Sequence, residues 1–350
     1  MPPKVVLVTG VSRHLGGRVA RALCAHPSVE RVVGVDTVPP ADGLRAGPGR
    51  VEFVRADIRN PLIGKVISST GVDTVVHLDL GTTTRGSGGR TSMKETNVIG
   101  TMQLLAACQK AATVRRLVIK STTAVYGTSP RDPALFTEEM EPKAAPSSGY
   151  AKDAMEVEGY ARGFGRRRPD VELAVLRFTK FIGPNIDSWL ASYFALPVVP
   201  TVLGFDARLQ FLHEDDAVEV LRRAAVGDWT GVLNVGADGV LLLSQAIRRA
   251  GRIGVPVPAP AAPLVGTALR GAGLADRSPE QMRFPNFGRV VDTTRLHTDF
   301  GYRPRFSTVG AFDDFLRGVR PVLHPGRVGA VERALTGLLA RVPVPGGRDV

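Results

Sequence analysis

Short and almost continuously apolar runs alternate with amphipathic stretches through the first 180 residues. The apolar runs are rich in β-branched residues and predict these strands: Lys4–Thr9, Arg31–Asp36, Val51–Arg55, Thr74–Leu78, Arg116–Ser121 and Glu172–Phe178. Strands that are apolar on both sides are typical of a parallel sheet covered by helices on both faces. Helices are predicted over Leu15–Ala25, Asn97–Lys110 and Tyr150–Gly163. The pattern therefore predicts an α/β fold with a doubly wound parallel sheet.

The texture of the chain changes after Gly183-Pro184, where loops, short helices and isolated strands such as Gly231–Val235 follow. We interpret residues 1–183 as the sheet domain, interleaved with later segments. Residues 184–325 then form most of a smaller lobe, and residues 326–350 form a C-terminal amphipathic helix and tail. One face of that helix would carry Val328, Val331, Leu335, Leu338, Leu339 and Val342.

A glycine-bearing turn joins the first predicted strand to the first predicted helix. Gly10 permits a tight turn, and Gly16 permits close packing of the helix on the strand. Free backbone N–H groups and the helix dipole at such a junction attract phosphates. Asp36 ends the second strand, where a carboxylate accepts both ribose hydroxyls of NAD and repels the 2′-phosphate of NADP. The turn therefore predicts a dinucleotide site that prefers NAD, with NADP left open.

A set of sequence blocks occurs in a characteristic order: TGVSRHLGG, VVGVD, RADIRN, DTVVHL, KETNVIGT, STTAVYG, LRFTKFIGPN, FLHEDDA, GVLNVGADG and DTTRLHTDFGYRPR. In these blocks the sequence resembles the extended short-chain dehydrogenases/reductases, and within them the NAD-dependent epimerase/dehydratase family that includes UDP-glucose 4-epimerase-like proteins. The resemblance covers roughly residues 4 to 320. The resemblance implies a Rossmann domain, bound NAD, a small-molecule substrate between the lobes, and a homodimer joined through two helices, those predicted over 97–110 and 150–163.

The cofactor positions follow from the turn and from the resemblance together. Asp57, after the third strand, would accept from an adenine amino group, and Asn97 would keep the active-site helix and strand in register. The expected cofactor-binding residues are Gly10, Ser12, Arg13, His14, Leu15, Gly16, Asp36, Asp57, Ile58, Leu78 and Asn97. Arg13 departs from the family, which has a glycine here, and its side chain would lie along the phosphates or beside a 2′-phosphate.

The family's catalytic residues are only partly present. The resemblance implies that a hydroxyl on the fifth strand and a tyrosine handle the substrate proton, and these positions are Thr122 and Tyr150. A lysine is expected four residues after the tyrosine, where this chain has Ala154. Lys152 stands only two residues on, which turns it to nearly the opposite side of a helix. The alternative register, with Lys152 as the lysine, leaves Ser148 where the tyrosine should be.

Two other lysines are candidates for the missing ammonium group. Lys120 precedes Thr122 by two residues on a strand and so points to the same face, and Lys180 follows the sixth strand. Lys180 is also a candidate substrate-binding residue, together with Asn185, Arg208 and Arg283. Arg208 lies one residue from the position where nucleotide-sugar enzymes of the family have an arginine.

Composition sharpens the choice of partners. The formal net charge is +12, but the arginines are spread along the chain, and the run Arg166-Arg167-Arg168 is interpreted as a solvated helix end. A dispersed positive field suits anionic small molecules and gives no tail for nucleic acid. Cys24 and Cys108 match no metal or disulfide spacing, and no apolar run approaches the ~18 residues that span a bilayer. We expect a cytoplasmic protein without metal, nucleic-acid partner or stable membrane insertion.

Three functions remain open on the sequence. The first is an NAD-dependent epimerase/dehydratase-like oxidoreductase acting on a nucleotide sugar or a related secondary alcohol. The second is a catalytically attenuated NAD(P)-binding regulatory or scaffold protein, which Ala154 and Arg13 favour. The third is a dehydrogenase of a lipid-like or steroid alcohol, for which altered phosphate-binding positions would be natural.

Overall fold

A computed structural model describes residues 3–40, 44, 51–81, 89–147, 149–186, 188–258, 286–319 and 321. Its strands are β1 (Val5–Thr9), β2 (Arg31–Asp36), β3 (Glu52–Arg55), β4 (Thr74–His77), β5 (Arg116–Thr122), β6 (Glu172–Phe178), β7 (Lys180–Ile182), β8 (Val198–Val202), β9 (Arg208–Leu209), β10 (Phe211–His213), β11 (Gly231–Val235), β12 (Leu241–Leu242), β13 (Ile253–Val257) and β14 (Gly288–Arg289). Its α-helices are α1 (His14–Cys24), α2 (Ile63–Thr70), α3 (Gly89–Lys94), α4 (Thr101–Lys110), α5 (Gly149–Arg167), α6 (Trp189–Ala195), α7 (Glu214–Val226), α8 (Leu243–Arg249), α9 (Thr294–Thr298) and α10 (Thr308–Leu316).

The main sheet is seven-stranded with the order β11-β6-β5-β4-β1-β2-β3, and every pairing in it is parallel. This confirms the predicted doubly wound sheet. Strand β1 pairs with β2 on one side and with β4 on the other, so the order reverses there. A crevice opens at the carboxyl ends of strands at such a point, because successive crossovers leave in opposite directions.

Two apolar clusters cover the two faces of the sheet. On one face, α1 and α7 pack against the sheet through residues such as Val19, Leu23 and Leu221. On the other face lie α2, α4 and α5, with Ile67 and Leu104 among the buried residues. Each cluster consists of side chains that have less than a tenth of their surface exposed, which is the burial that the continuous apolar strand runs predict.

The chain beyond Ile182 builds small sheets and returns once to the large one. Strand β11 pairs with β6 and completes the edge of the main sheet. A third apolar cluster, with Phe194, Phe211 and Phe312 at its centre, lies entirely in residues after 181. The exact boundary between the sheet domain and the lobe stays a prediction, and the predicted helix over 326–350 lies outside the described residues.

Two local predictions need correction. The predicted helix over 97–110 begins earlier, because α3 continues through a π-helical turn (Glu95–Gly100) into α4. The interpretation of Arg168 as solvated is wrong. Its guanidinium donates to the carbonyls of Cys108, Gln109, Ala111 and Val114, and so binds the C-terminal end of α4. In the described part of the chain, no helix combines the length and apolarity that crossing a bilayer requires.

Candidate functional site

The junction of β1 and α1 forms a close-packed turn. Gly10 has φ +70°, and its N–H donates to the carbonyl of Val35 on β2 at 3.0 Å. A Cβ atom on Gly10 would come within 3.3 Å of Asp79. A Cβ atom on Gly16 would overlap the carbonyl oxygen of Gly10 and lie 2.7 Å from its carbon. The first turn of α1 therefore sits directly on the end of β1, as the two glycines predict.

The N-terminus of α1 is suited to an anion. Its N-cap, Arg13, makes no capping hydrogen bond with its side chain, and the first turn contains no acidic residue. The first N–H groups of a helix have no partners inside the helix, so a phosphate at this end finds both donors and a favourable dipole. The ring of His14 hydrogen-bonds buried Glu214 on α7, and Leu15 packs against the apolar cluster.

Asp36 lies beside this turn at the end of β2. Its Oδ2 accepts from the N–H of Ser12 at 3.1 Å, and its Oδ1 accepts from the N–H of Thr37 at 2.7 Å. The Ser12 hydroxyl donates to the carbonyl of Val38. The carboxylate is therefore within one hydrogen bond of the turn that joins β1 to α1.

Asp57 is engaged by a neighbouring side chain. Arg59 donates to its carboxylate from Nε at 2.9 Å and from Nη2 at 2.6 Å, and these hydrogen bonds hold the pKa of Asp57 below its ordinary value. Ile58 and Leu78 are both buried, and they belong to the apolar clusters on opposite faces of the sheet. The proposed contact of Asp57 with an adenine stays a prediction, and any such contact would share the carboxylate with Arg59.

A chain of hydrogen bonds fixes His77 at the end of β4. The N–H of Leu78 donates to the Thr9 hydroxyl at 3.1 Å, and that hydroxyl lies 2.7 Å from Nδ1 of His77. On the other side, Nε2 lies 2.8 Å from the Thr101 hydroxyl, which donates to the Asn97 carbonyl. Burial lowers the pKa of His77 to about 3, so the ring stays neutral and acts in positioning.

Asn97 sits in the π-helical turn and ties three segments together. Its Oδ1 accepts from the N–H of Gly81 at 2.8 Å, and its Nδ2 donates to the carbonyl of Gly81 and to Asp153, both at 3.1 Å. Fully buried Asp153, on α5, also accepts two hydrogen bonds from Arg90. The end of β4, α3 and the start of α5 are thereby held in one arrangement.

A charged cluster of Arg13, Asp79 and Lys120 lies where β1, β4 and β5 end. Nη2 of Arg13 lies 2.8 Å from Oδ1 of Asp79, and the guanidinium packs against Gly81. Asp79 is 9% exposed, and burial raises its pKa to about 6. Lys120 donates to the Leu80 carbonyl at 3.2 Å, and burial, together with Arg13, lowers its pKa to about 8. Arg13 thus turns toward the end of β4.

Tyr150 and Thr122 meet across the same end of the sheet. Thr122 ends β5 and Tyr150 lies in the first turn of α5, and a hydrogen bond between their side chains lowers the pKa of the phenol. Burial of the phenol outweighs this contribution, so the pKa of Tyr150 is above its ordinary value. Arg13 also lowers that pKa through its charge. Lys152 is partly exposed on α5, whereas Ala154 is buried in an apolar cluster with Val125 and Phe136.

A buried polar network joins β5 to β6 and α5. Glu158 on α5 accepts from the Ser121 hydroxyl at 2.5 Å and from Arg177 at 2.7 Å. Arg177 also donates to the Tyr126 hydroxyl at 2.9 Å, and that hydroxyl donates to Asn234 at 2.8 Å. The network therefore fixes the strand that carries Thr122 against the helix that carries Tyr150.

The expected substrate-binding residues are dispersed among other contacts. Asn185 donates to buried Glu214 from its N–H at 3.0 Å and from its side chain at 3.2 Å. Lys180 and Arg208 are half-buried on β7 and β9. Arg283 lies outside the described residues. The roles of all four toward a substrate stay predictions.

Sequence reasoning missed Asp79, Arg90 and the buried network around Glu158. A signal for Asp79 was present, because an acidic residue stands two positions after the end of the apolar strand β4, next to the strand-order reversal. Arg90 and Asp153 pair across 63 positions in the sequence, so no local pattern could have joined them.

Comparison with known proteins places this geometry in a family. The sequence-family model of the NAD dependent epimerase/dehydratase family matches residues 6–236 of this chain. An uncharacterized protein of Mycobacterium tuberculosis is 49% identical over 349 residues, which cover 98% of this chain and 93% of the relative. A trifunctional UDP-glucose 4,6-dehydratase/epimerase/reductase of Arabidopsis thaliana is 27% identical over 256 residues, covering 67% of this chain and 37% of that protein.

Solved structures share the fold at low sequence identity. The UDP-glucose 4-epimerase of Thermotoga maritima, crystallised with UDP-glucose, aligns with a TM-score of 0.68 at 19% identity, over 90% of this chain and 98% of its own. The dTDP-glucose 4,6-dehydratase DesIV of Streptomyces venezuelae, crystallised with NAD, aligns with a TM-score of 0.69 at 22% identity, over 90% and 96% of the two chains.

Proposed function

The chain belongs to the NAD-dependent epimerase/dehydratase family, and we propose that it is an NAD-dependent oxidoreductase that acts on a hydroxyl of a nucleotide-linked sugar. The observation that carries the proposal is the hydrogen bond from the N–H of Ser12 to Asp36, because it puts a carboxylate for the adenosine ribose beside a glycine turn for the phosphates.

The residues at the turn fit NAD in its adenosine diphosphate half. The side chain at the N-cap makes no capping hydrogen bond that would compete with a phosphate, and Gly10 and Gly16 bring backbone close to the site. Asp36 disfavours a 2′-phosphate by charge repulsion, and Arg13 reaches toward Asp79 after β4 instead of toward Asp36 at the end of β2. We therefore propose NAD in preference to NADP.

Thr122 and Tyr150 would handle the substrate proton. Bound NAD supplies hydride exchange with a substrate carbon. Tyr150 exchanges the hydroxyl proton, and Thr122 holds the phenol in place through their hydrogen bond. In the arrangement with Arg13 on Asp79, the positive charge of Arg13 lowers the pKa of Tyr150, which is the direction in which the family's lysine, replaced here by Ala154, would act. Lys120 and Lys152 stay candidates for a further ammonium group near the nicotinamide ribose.

A nucleotide diphosphate moiety is the proposed handle of the substrate. Relatives in the family and solved structures with the same fold act on UDP- or dTDP-sugars. Lys180, Arg208 and Arg283 are the basic residues proposed to receive the diphosphate, with Asn185 beside them. The sugar itself and the outcome, epimerisation or dehydration, are left to experiment.

The test combines cofactor release with turnover of defined substrates. Purified protein is denatured, the released dinucleotide is identified by chromatography, and the native protein is incubated with UDP-glucose, UDP-galactose and dTDP-glucose. We expect NAD in the extract and conversion of at least one nucleotide sugar. Tyr150→Phe should abolish that conversion, whereas Tyr160→Phe, on the exposed side of the same helix, should leave it intact. Conversion that survives Tyr150→Phe would refute the assigned role.

A second function, a cofactor-binding protein with little turnover, has one observation in its favour. Ala154 is sealed in an apolar cluster, so no ammonium group occupies the position from which the family's lysine acts. This function predicts NAD in the extract and no product from any nucleotide sugar. Saturating NAD would still raise the thermal midpoint of apoprotein.

We also propose that two copies associate through α4 and the exposed side of α5. Ile99, in the π-helical turn that leads into α4, Met102 on α4 and Tyr160 on α5 each leave about two fifths of their surface exposed, which offers apolar surface to a second copy. Light scattering after gel filtration should give twice the chain mass. Met102→Glu should lower the measured mass to that of one chain. A monomeric wild type would contradict the proposal.

A further inference from the structure

The cluster of Arg13, Asp79 and Lys120 lies in the crevice and is unlike an ordinary surface ion pair. Arg13 is the N-cap of α1, and its side chain is half-exposed, with 52% of its surface open. Its carboxylate partner is almost completely buried at the end of β4. The guanidinium therefore extends from the phosphate turn across the end of β1 to the inner wall of the crevice.

The pairing of Arg13 with Asp79 is incomplete. Although Nη2 lies 2.8 Å from Oδ1, no donor among the described residues makes a well-oriented hydrogen bond to Oδ1. A buried carboxylate oxygen without a hydrogen-bond donor is costly, because it has lost its water and gained only part of a partner. The ion pair is thus short but poorly oriented, and it leaves the buried carboxylate oxygen without a full hydrogen bond.

We propose that Arg13 is a gating residue of the dinucleotide site, whose guanidinium leaves Asp79 and binds a phosphate of the incoming dinucleotide. The proposal rests on the proposed function, since it requires a dinucleotide at the turn. Arg13 already stands at the helix end where the phosphates would bind, so the exchange needs only rotation of an arginine side chain. A dianionic diphosphate is a stronger partner for a guanidinium than one partly aligned carboxylate.

The exchange makes Asp79 an internal competitor of the ligand. While Asp79 holds Arg13, the dinucleotide must displace it, and this lowers the apparent affinity. The remaining charge on Asp79 is then met by Lys120, which is buried on the neighbouring strand. Arg13 would therefore contribute to phosphate binding through its guanidinium. Its Cβ atom occupies the space beside the backbone that the family's glycine leaves open.

A double-mutant cycle tests the exchange with ADP-ribose, which carries the diphosphate and lacks nicotinamide. Bound NAD is first removed, and affinities are then measured by calorimetry for the wild type, Asp79→Asn, Arg13→Met and the double variant. We expect Asp79→Asn to bind about fivefold tighter, the equivalent of releasing one weak ion pair. Arg13→Met should bind about tenfold weaker, and the double variant should match Arg13→Met within about twofold.

The outcomes separate the gate from its alternatives. If Asp79→Asn tightens binding equally in the Arg13→Met background, Asp79 repels the phosphates directly and the gate is refuted. Unchanged or weaker binding by Asp79→Asn also refutes it, while the proposed function would stand. If neither the wild type nor Asp79→Asn binds ADP-ribose, both proposals fall. Arg21→Met, on the last turn of the same helix, controls for loss of one positive charge and should bind as the wild type does.

Discussion

Removing the charge of Glu158 should destabilise the protein more than removing one charge of an exposed ion pair does. The side chains of Glu158 and Arg177 are only 3% and 10% exposed, and they are joined by hydrogen bonds of 2.7 to 3.2 Å. Glu158→Gln keeps the shape and leaves Arg177 as a buried cation without a counter-charge. Breaking a buried pair in this way costs about 3–5 kcal/mol. Because glutamine still accepts from Ser121, we expect the lower end, about 3 kcal/mol.

The assay is urea unfolding followed by circular dichroism, with Glu52→Gln as the matched control. Glu52 forms a similar two-bond pair with Arg31 on the same sheet, but both side chains are 44% exposed. The control should therefore lose less than about 1 kcal/mol. A loss below about 1 kcal/mol in Glu158→Gln as well would refute the reasoning. The double variant Glu158→Leu with Arg177→Met should recover most of the loss, because no unpaired charge stays buried.

Three further outcomes are expected. Gly16→Ala should abolish ADP-ribose binding and lower stability by about 2 kcal/mol or more in urea unfolding, since its Cβ atom overlaps the Gly10 carbonyl; a variant that binds normally would contradict the close packing. For Asp79, the folded-state pKa of about 6 lies above the ordinary 3.8, so the stability that its proton contributes is complete below pH 3.8 and is lost as pH rises through 6. In the wild type this lowers the thermal midpoint between pH 4 and 7, and Asp79→Asn should make that decrease smaller. An equal decrease in the variant would contradict the role of Asp79 in this pH dependence. Arg168→Met should destabilise the protein by roughly 2 kcal/mol in urea unfolding, because carbonyls at the end of α4 lose their donor, whereas an effect like that of exposed Arg166→Met would show Arg168 to be dispensable.

The fold was accessible from the sequence because its main signals are local. Continuous apolar runs identify strands buried on both faces, and the predicted strands β1 to β6 agree with the structure to within one residue at each end. The glycine turn between β1 and α1 is equally local, since Gly10, Gly16 and the start of α1 lie within a few residues. Asp36 required only the additional expectation that β2 pairs with β1.

The chemistry of the crevice was less accessible because it depends on contacts between distant segments. The sequence showed that Arg13 replaces a glycine, but its partner Asp79 lies 66 positions away by residue number and follows a different strand. The buried network around Glu158 joins β5, β6 and α5, and only tertiary packing makes its members neighbours. Lys120 could be assigned to a strand face, yet its burial and lowered pKa depend on what packs against that face.

The central claim is that a dinucleotide lies across the end of β1 with its adenosine ribose on Asp36. Calorimetric affinities for NAD and NADP, in the wild type and in Asp36→Ser, test it most directly. The wild type should prefer NAD by at least about tenfold, because the carboxylate accepts the ribose hydroxyls and repels a 2′-phosphate. Asp36→Ser should bring the two affinities to within about threefold of each other. A wild type that binds neither nucleotide, or a preference that the substitution leaves unchanged, would contradict the account.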